Sequence, residues 1–140
     1  MPHRNIDPSS FRSLAILVES VAVPLLREHP APICLEVDID PSIEVPSDPK
    51  ATVELIRGLT DQAIAMMPAG GDLNITGCET AEGVELELAD TGSELSARER
   101  RLPIAAANLG ARVRWQNCPQ GGVAVTVAFP RLDAARRRAA

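Results

Sequence analysis

The stretch "LIRGLTDQAIAMMPAGGDLNI", residues 55–75, carries the local pattern that decides the fold. Its first half continues a series of apolar residues spaced three and four apart, which is typical of a helix with one buried face. Either Ser47 or Asp48 can cap the start of this helix, because Pro49 follows at a position suited to the first helical turn. The "PAGG" segment ends the helix, and the apolar alternation after it indicates a strand. The stretch therefore predicts a helix, a tight turn and a strand in succession.

On the N-terminal side, a second helix is predicted within "DPSSFRSLAILVESVAVPLL", residues 7–26, where apolar residues again recur at helical spacing. Pro24 is expected to bend or end it, because proline lacks the backbone N–H and clashes with the preceding turn. The next segment, "PICLEVDID", alternates apolar with polar residues and predicts a half-buried strand. Three residues can cap the start of the helix predicted within residues 7–26: Asp7, Ser9 and Ser10.

On the C-terminal side, "DLNITGCE" and "GVELELAD" predict two adjacent antiparallel strands. The segment "SARERRLPIAAANLGA" predicts a third helix, which starts either at Ser96 with Glu99 as its capping partner or later, after Pro103. Two more strands, "RVRWQNC" and "GVAVTVAFP", flank a "PQGG" turn.

The predicted order is helix, strand, helix, strand, strand, helix, strand, strand. This order indicates an α+β fold, a two-layer sandwich in which three helices cover one face of a mixed sheet of about five strands. A chain of 140 residues suits one such domain. We expect the domain to span residues 10–130, between a flexible N-terminus (1–9) and a basic flexible tail (131–140).

The charge balance excludes several classes of partner. The net charge is -5 and the pI is near 5.0, so the chain lacks the basic face that nucleic acids or anionic membranes require. No N-terminal apolar run has the length of a membrane span or the flanks of a signal peptide, and a cytoplasmic location is expected. The three cysteines are odd in number and have no Cys-x-x-Cys spacing, which predicts buried reduced thiols at Cys34, Cys78 and Cys118.

Three motifs in the same order resemble the ATP-binding domain shared by sensor histidine kinases, the Hsp90 and gyrase ATPases and the MutL proteins. The stretch quoted first is similar to the family's N-box helix with its following turn and strand. "VELELADTGSEL" is similar to the strand and Asp-x-Gly turn of the first glycine box, and "LGARVRWQNCPQGGVAVTVAFP" to the final hairpin. The resemblance covers roughly residues 10–130 and implies ATP and Mg²⁺ as ligands.

The resemblance also assigns expected roles to single residues. Asp90 matches the aspartate that accepts a hydrogen bond from the adenine amino group, although an aspartate here can equally cap an ordinary turn. Gly92 matches the glycine that lets the backbone approach the base. Gln62 stands where the family's asparagine holds Mg²⁺, a weak metal ligand because its extra methylene displaces the oxygen. Thr126 stands where the last strand can supply a hydroxyl near the adenine.

Several expected parts of the family's site are missing. Glu94 replaces the second glycine of the box, and the chain runs from the Asp-Thr-Gly turn to the next helix without a lid or a second glycine-rich loop. The arginines that follow, Arg98, Arg100 and Arg101, are expected to form an exposed basic turn, with contact to phosphates as the alternative. His3 and His29 are expected on the surface and not as phosphoacceptors, and no catalytic residue is assigned.

These departures favour a degenerate histidine-kinase-like domain, a pseudo-ATPase that binds no cofactor tightly and acts in a phosphorelay through protein contacts. A response regulator or a kinase is the expected partner, and a homodimer is a further expectation. The alternative is a functional ATP-binding module, of the histidine kinase or the anti-sigma-factor kinase type, that uses ATP and Mg²⁺. A purely structural domain is the third interpretation.

Overall fold

The computed structural model describes residues 7–46, 48–99 and 101–131. Within them lie three α-helices, five strands and two short 3₁₀ turns, in the predicted order. The 3₁₀ turns are Pro8–Ser10 and Leu95–Ala97. The helices are α1 (Leu14–Glu28), α2 (Pro49–Ala65) and α3 (Ile104–Leu109). The strands are β1 (Ile33–Ile39), β2 (Gly71–Thr80), β3 (Gly83–Asp90), β4 (Arg112–Asn117) and β5 (Val123–Pro130).

The five strands form one mixed sheet in the order β1-β2-β3-β5-β4. β1 runs parallel to β2, and all other neighbours are antiparallel. The parallel pair is possible because α2 provides the crossover from one strand to the next. The predicted fold class, an α+β sandwich with a mixed sheet of five strands, is confirmed.

One face of the sheet forms the core with the helices. The register places Ile75, Leu88 and Val125 side by side, and these join the buried residues of all three helices in one apolar cluster. The opposite face, which we call the open face, carries polar residues such as Glu36 and Arg114. This division follows from the period of two in side-chain direction along each strand.

The start of α1 differs from the prediction. Its N-cap is Ser13, whose side chain makes no capping hydrogen bond. Instead, the backbone N–H of Leu14 donates to the carbonyl of Ile43 at 3.0 Å, so a neighbouring segment satisfies the helix end. Of the three predicted caps, Asp7 and Ser10 bond to each other, the hydroxyl of Ser10 donating to the Asp7 carbonyl. The backbone of Ser9 lies in the same 3₁₀ turn.

Pro24 and Pro103 were both predicted to interrupt a helix, and the structure shows a different result for each. Pro24 does not end α1, which continues to Glu28. Pro103 does delay α3, which begins at Ile104, so Ser96 and Glu99 do not start a helix. At the start of α2, Asp48 is the N-cap, as one of the two predicted alternatives, and its carboxylate accepts from the N–H of Ala51.

The prediction that the cysteines are buried was wrong. Cys34 and Cys78 are exposed and Cys118 is half-buried, all as free thiols. Cys34 lies on the open face, because its neighbours Ile33 and Leu35 point to the core. Cys78 lies on the same face, opposite Glu85. Burial raises the pKa of the Cys118 thiol, which weakens it as a nucleophile.

No helix in the described part of the chain is long and apolar enough to cross a membrane. The arginines predicted to form a basic tail, Arg136 to Arg138, lie outside the described residues, as does His3.

Candidate functional site

A cavity of about 430 Å³ lies where the predicted nucleotide residues converge. Its floor is the end of β3 at Asp90, and one side is the C-terminal half of α2 with Gln62. The segment that follows β3 closes the remaining side. We call residues 93–102 the strap; residue 100 is not described. The apolar walls consist of Leu59, Ala63, Ala65, Met66, Trp115 and Val125.

Asp90 is the last residue of β3, and its side chain is 1% exposed. Its Oδ1 accepts a hydrogen bond from the N–H of Gly92 at 2.9 Å, which closes the turn after the strand. The same carboxylate also forms a two-point ion pair with Arg98. Nη1 donates to Oδ2 at 2.7 Å and Nη2 donates to Oδ1 at 2.5 Å. Asp90 is thus a turn cap and a buried charge partner together.

Arg98 was expected in an exposed basic turn, and this prediction was wrong. Its side chain is 7% exposed because it points from the strap into the cavity. Besides the ion pair, its Nε donates to the carbonyl of Ser93 at 2.8 Å. The planar guanidinium therefore uses donors along both of its edges, an arrangement that a lysine could not reproduce.

The strap is tied to the rest of the domain at three points. The N–H of Ser93 donates to the carbonyl of Met66 at 3.3 Å, next to the end of α2. The N–H of Leu95 donates to the side-chain oxygen of Asn117 at 2.8 Å. Gln62 reaches from α2 to the strap. These bonds hold the backbone that places Arg98 over Asp90.

The side chain of Gln62 bonds to the strap. Its Nε2 donates to the carbonyl of Arg101 at 2.8 Å. A carbonyl can only accept, so the contacting atom is the amide nitrogen, which cannot ligate a cation. Gln62 could offer a cation only its Oε1, and no cluster of three or more His, Cys, Asp or Glu that could hold a metal ion lies around it in the described ranges.

The backbone of Gly92 lies close to the C-terminal end of α2, and it does not face the cavity. A Cβ at this position would lie 2.4 Å from the carbonyl oxygen of Met66. A larger residue would push the turn away from the end of the helix. Gly92 thereby helps to set the position of Asp90.

Thr126 is separated from the cavity. It is buried on β5, where its register partners are Glu87 and Arg114 on the open face. Its neighbour Val125, which points to the opposite side, lines the cavity instead. The expected hydroxyl near a base is therefore not supplied by this residue.

Two titratable side chains, His29 and Asp61, lie outside the cavity. His29 is half-buried, not a freely exposed histidine, because its Nε2 donates to the carbonyl of Met67 at 2.9 Å. Asp61 is exposed on α2 and does not line the cavity. Partial burial raises the pKa of the Asp61 carboxyl, and the positive charge of Arg57 opposes the rise.

A second depression, of about 560 Å³, lies on the open face and has an acidic lining. Its carboxylates belong to Asp38, Asp40, Glu85 and Glu87. Hydrogen bonds from the backbone and hydroxyl of Ser42 lower the pKa of Asp40. The depression is a solvated acidic surface and lacks the apolar walls that enclose the cavity at Asp90.

Sequence reasoning missed the ion pair and most of the cavity wall. Trp115, the only tryptophan of the chain, alternates with arginine on β4, a pattern that could have placed it on the inner face. For Arg98 no local signal was present, since its partner lies on a different element.

Solved structures with this architecture include the mycobacterial sensor histidine kinase MprB, 17% identical over 84% of this chain and 95% of that one, with a TM-score of 0.68. The catalytic domain of the histidine kinase ThkA is 18% identical over 85% of this chain and 94% of that one, with a TM-score of 0.66. The ATP binding domain of PrrB from Mycobacterium tuberculosis is 20% identical over 84% and 93%, with a TM-score of 0.61.

This chain has the histidine kinase catalytic-domain fold. At these sequence identities, the likeness establishes the fold but not the chemistry of the site. No protein-family model matches the chain, and no curated protein matches it. The resemblance inferred from the three motifs is confirmed at the level of the histidine kinase fold.

Proposed function

We propose that this histidine-kinase-like domain is a pseudo-ATPase that acts in signal transduction by binding another signalling protein, such as a response regulator or a kinase. The single observation that carries the proposal is the ion pair between Arg98 and Asp90. The carboxylate expected to read an adenine base is already bound at both oxygens by the protein's own side chain.

The ion pair opposes nucleotide binding because a base must displace it. Separating a buried, two-point pair and leaving one charge unpaired costs about 3–5 kcal/mol. At about 1.4 kcal/mol for each factor of ten, this lowers the apparent affinity by roughly 100-fold to several thousand-fold. A base bound at Asp90 would have to recover this free energy from new contacts.

The strap also gives little support for phosphoryl transfer. Between Asp90 and Ile104 the sequence has no glycine after Gly92, and the described residues form one short 3₁₀ turn. Catalysis of phosphoryl transfer depends on donors that fix the terminal phosphate and its metal ion. The backbone N–H groups of Leu95, Ala97 and Arg98 donate instead to acceptors within the protein.

Titration calorimetry of the wild-type domain with Mg-ATP tests the proposal. We expect no binding heat at millimolar nucleotide, with the ATP binding domain of PrrB as the positive control in the same buffer. A micromolar, magnesium-dependent signal that Asp90→Asn abolishes would contradict the pseudo-ATPase assignment.

The proposed contact surface includes the end of the strap and the start of α3. Leu102 is 54% exposed and Ile104 is 83% exposed. Between them, Pro103 packs on α2, with its Cγ 3.4 Å from where a Cβ of Gly58 would lie. Exposed apolar side chains of this size are suited to protein contact.

Binding to purified response regulators and kinases from the same genome tests this surface. Ile104→Glu is expected to weaken binding to the true partner at least tenfold. Ile16→Glu is the matched control, because Ile16 is also exposed, at 56%, but lies on α1. Equal effects of the two substitutions would remove the support for the surface. Formation of a homodimer stays a prediction, to be measured by sedimentation.

One observation favours the alternative, a functional ATP-binding module. A cavity of about 430 Å³ with apolar walls persists beside Asp90, and its volume lies in the range of small-molecule sites. The Mg-ATP titration decides between the two functions.

A further inference from the structure

The way in which Asp90 is bound specifies a chemical class of ligand. Its two oxygens receive two parallel N–H groups from one planar cation, at 2.7 and 2.5 Å. We propose that the cavity at Asp90 is a binding site for a planar group with two parallel N–H donors, as in an amidine or a guanine base, and that Arg98 is its internal ligand. The inference rests on the proposed function, in which Arg98 occupies Asp90 and thereby opposes the binding of ATP.

The cavity walls suit a flat, largely apolar body attached to such donors. Trp115 and Val125 line one side from the sheet, and Leu59 and Met66 line the other from α2. Asp90 supplies a buried charge among these apolar side chains. A few directed polar contacts in an otherwise apolar enclosure are the usual composition of a small-molecule site.

The two-point geometry discriminates between purines. Guanine presents a ring N–H and an exocyclic amino group side by side, so both oxygens of a carboxylate can accept from it. Adenine presents its amino group beside an unprotonated ring nitrogen, which would face the second oxygen with no proton between them. A buried acceptor that is left unpaired in this way lowers affinity by one to two orders of magnitude. The geometry therefore favours guanine over adenine.

Arg98 is carried by a segment that can move without unfolding the core. The described residues of the strap have one short 3₁₀ turn and no strand pairing, and Ser96, Ala97 and Glu99 among them are exposed. Apart from the two-point ion pair of Arg98 with Asp90, the strap's described ties to the domain are single hydrogen bonds, such as those to Asn117 and Gln62. Segments with few buried contacts are the first to open in a folded protein.

The experiment compares wild type with Arg98→Ala and with Asp90→Asn/Arg98→Ala, titrated with benzamidine, guanosine and adenosine. Arg98→Ala is expected to bind benzamidine and guanosine, and guanosine at least tenfold more tightly than adenosine. At ten times the dissociation constant, the ligand should raise the melting temperature by about 5 °C. Wild type and the double variant should show at least tenfold weaker binding. Arg114→Ala, which removes an arginine from the open face, should behave as wild type.

Two results would overturn the inference. One is the absence of any gain in binding when Arg98 is removed, and the other is an equal gain in the double variant, which lacks the carboxylate. If Arg98→Ala does not fold alone, benzamidine present during refolding should restore the folded state, and failure to do so while the double variant folds also contradicts the inference. Binding of Mg-ATP by wild type would instead contradict the pseudo-ATPase proposal, so the two failures are distinguishable.

Discussion

At the scale of single residues, Asp90 uses one carboxylate for two purposes. It caps the turn after β3 through the N–H of Gly92, and it neutralises Arg98 within a nearly dry environment. Each charge of a buried pair is tolerated only while its partner is present, because desolvation penalises an isolated ion heavily. The stability of this part of the domain therefore depends on both residues.

A double-mutant cycle measures this dependence. Arg98→Ala and Asp90→Ala are each expected to lower the free energy of unfolding by about 3–5 kcal/mol. The double variant should lose clearly less than the sum, because neither charge is then left alone. Urea denaturation gives the values, and Arg114→Ala should change stability by no more than about 0.5 kcal/mol. A loss below about 1 kcal/mol for Arg98→Ala would show that the pair does not form in solution.

At the scale of elements, α1 and α2 begin in different ways. α2 has a side-chain cap, with Oδ2 of Asp48 accepting from the N–H of Ala51 at 3.3 Å. α1 begins at Ser13, whose hydroxyl oxygen is buried and has no hydrogen-bond partner among the described residues. The carbonyl of Ile43 takes over the capping role there.

The two helix starts predict opposite responses to alanine. Asp48→Ala is expected to lower the free energy of unfolding by about 1 kcal/mol, since it removes the acceptor of an otherwise unpaired N–H. Ser13→Ala should be neutral or slightly stabilising, because it removes a buried hydroxyl without a partner. Chemical denaturation of both variants checks the difference, and a larger loss for Ser13→Ala would contradict it.

At the scale of the whole molecule, the β4–β5 hairpin packs on the end of β3. Gly122 has a φ of +83°, and a Cβ there would lie 1.9 Å from the carbonyl oxygen of Asp90. Its neighbour Gly121 has a φ of +101°, but a Cβ there would meet nothing within 4 Å. The hairpin turn therefore helps to hold the floor of the cavity in place.

This pair of glycines separates backbone strain from tertiary contact. Gly121→Ala should cost about 1–2 kcal/mol, from the unfavourable backbone conformation alone. Gly122→Ala should cost more than about 4 kcal/mol, because strain and a clash with the β3 backbone add. Thermal and urea unfolding measure the stability of both variants. Equal losses of stability would show that the hairpin turn does not pack against the backbone of Asp90.

Most of the fold could be predicted because its signals are local. Apolar spacing of three and four identified α1 and α2, and alternation identified strands such as β1 and β3. The late start of α3 was one of two predicted alternatives, and Pro103 is the local signal for it. In β5 the alternation was hidden, because Ala124, Thr126 and Ala128 on the open face are nearly as apolar as the inward valines. The side on which Thr126 lies therefore could not be predicted.

The sequence alone determined the order of the elements, because the signals for each element lie in neighbours a few positions apart, and the family resemblance drew attention to Asp90. Only the tertiary structure decided what Asp90 binds. The path of the strap, set by bonds to Met66, Gln62 and Asn117, brings Arg98 into the cavity. Such contacts join different elements, and their free energy depends on burial that no local pattern records.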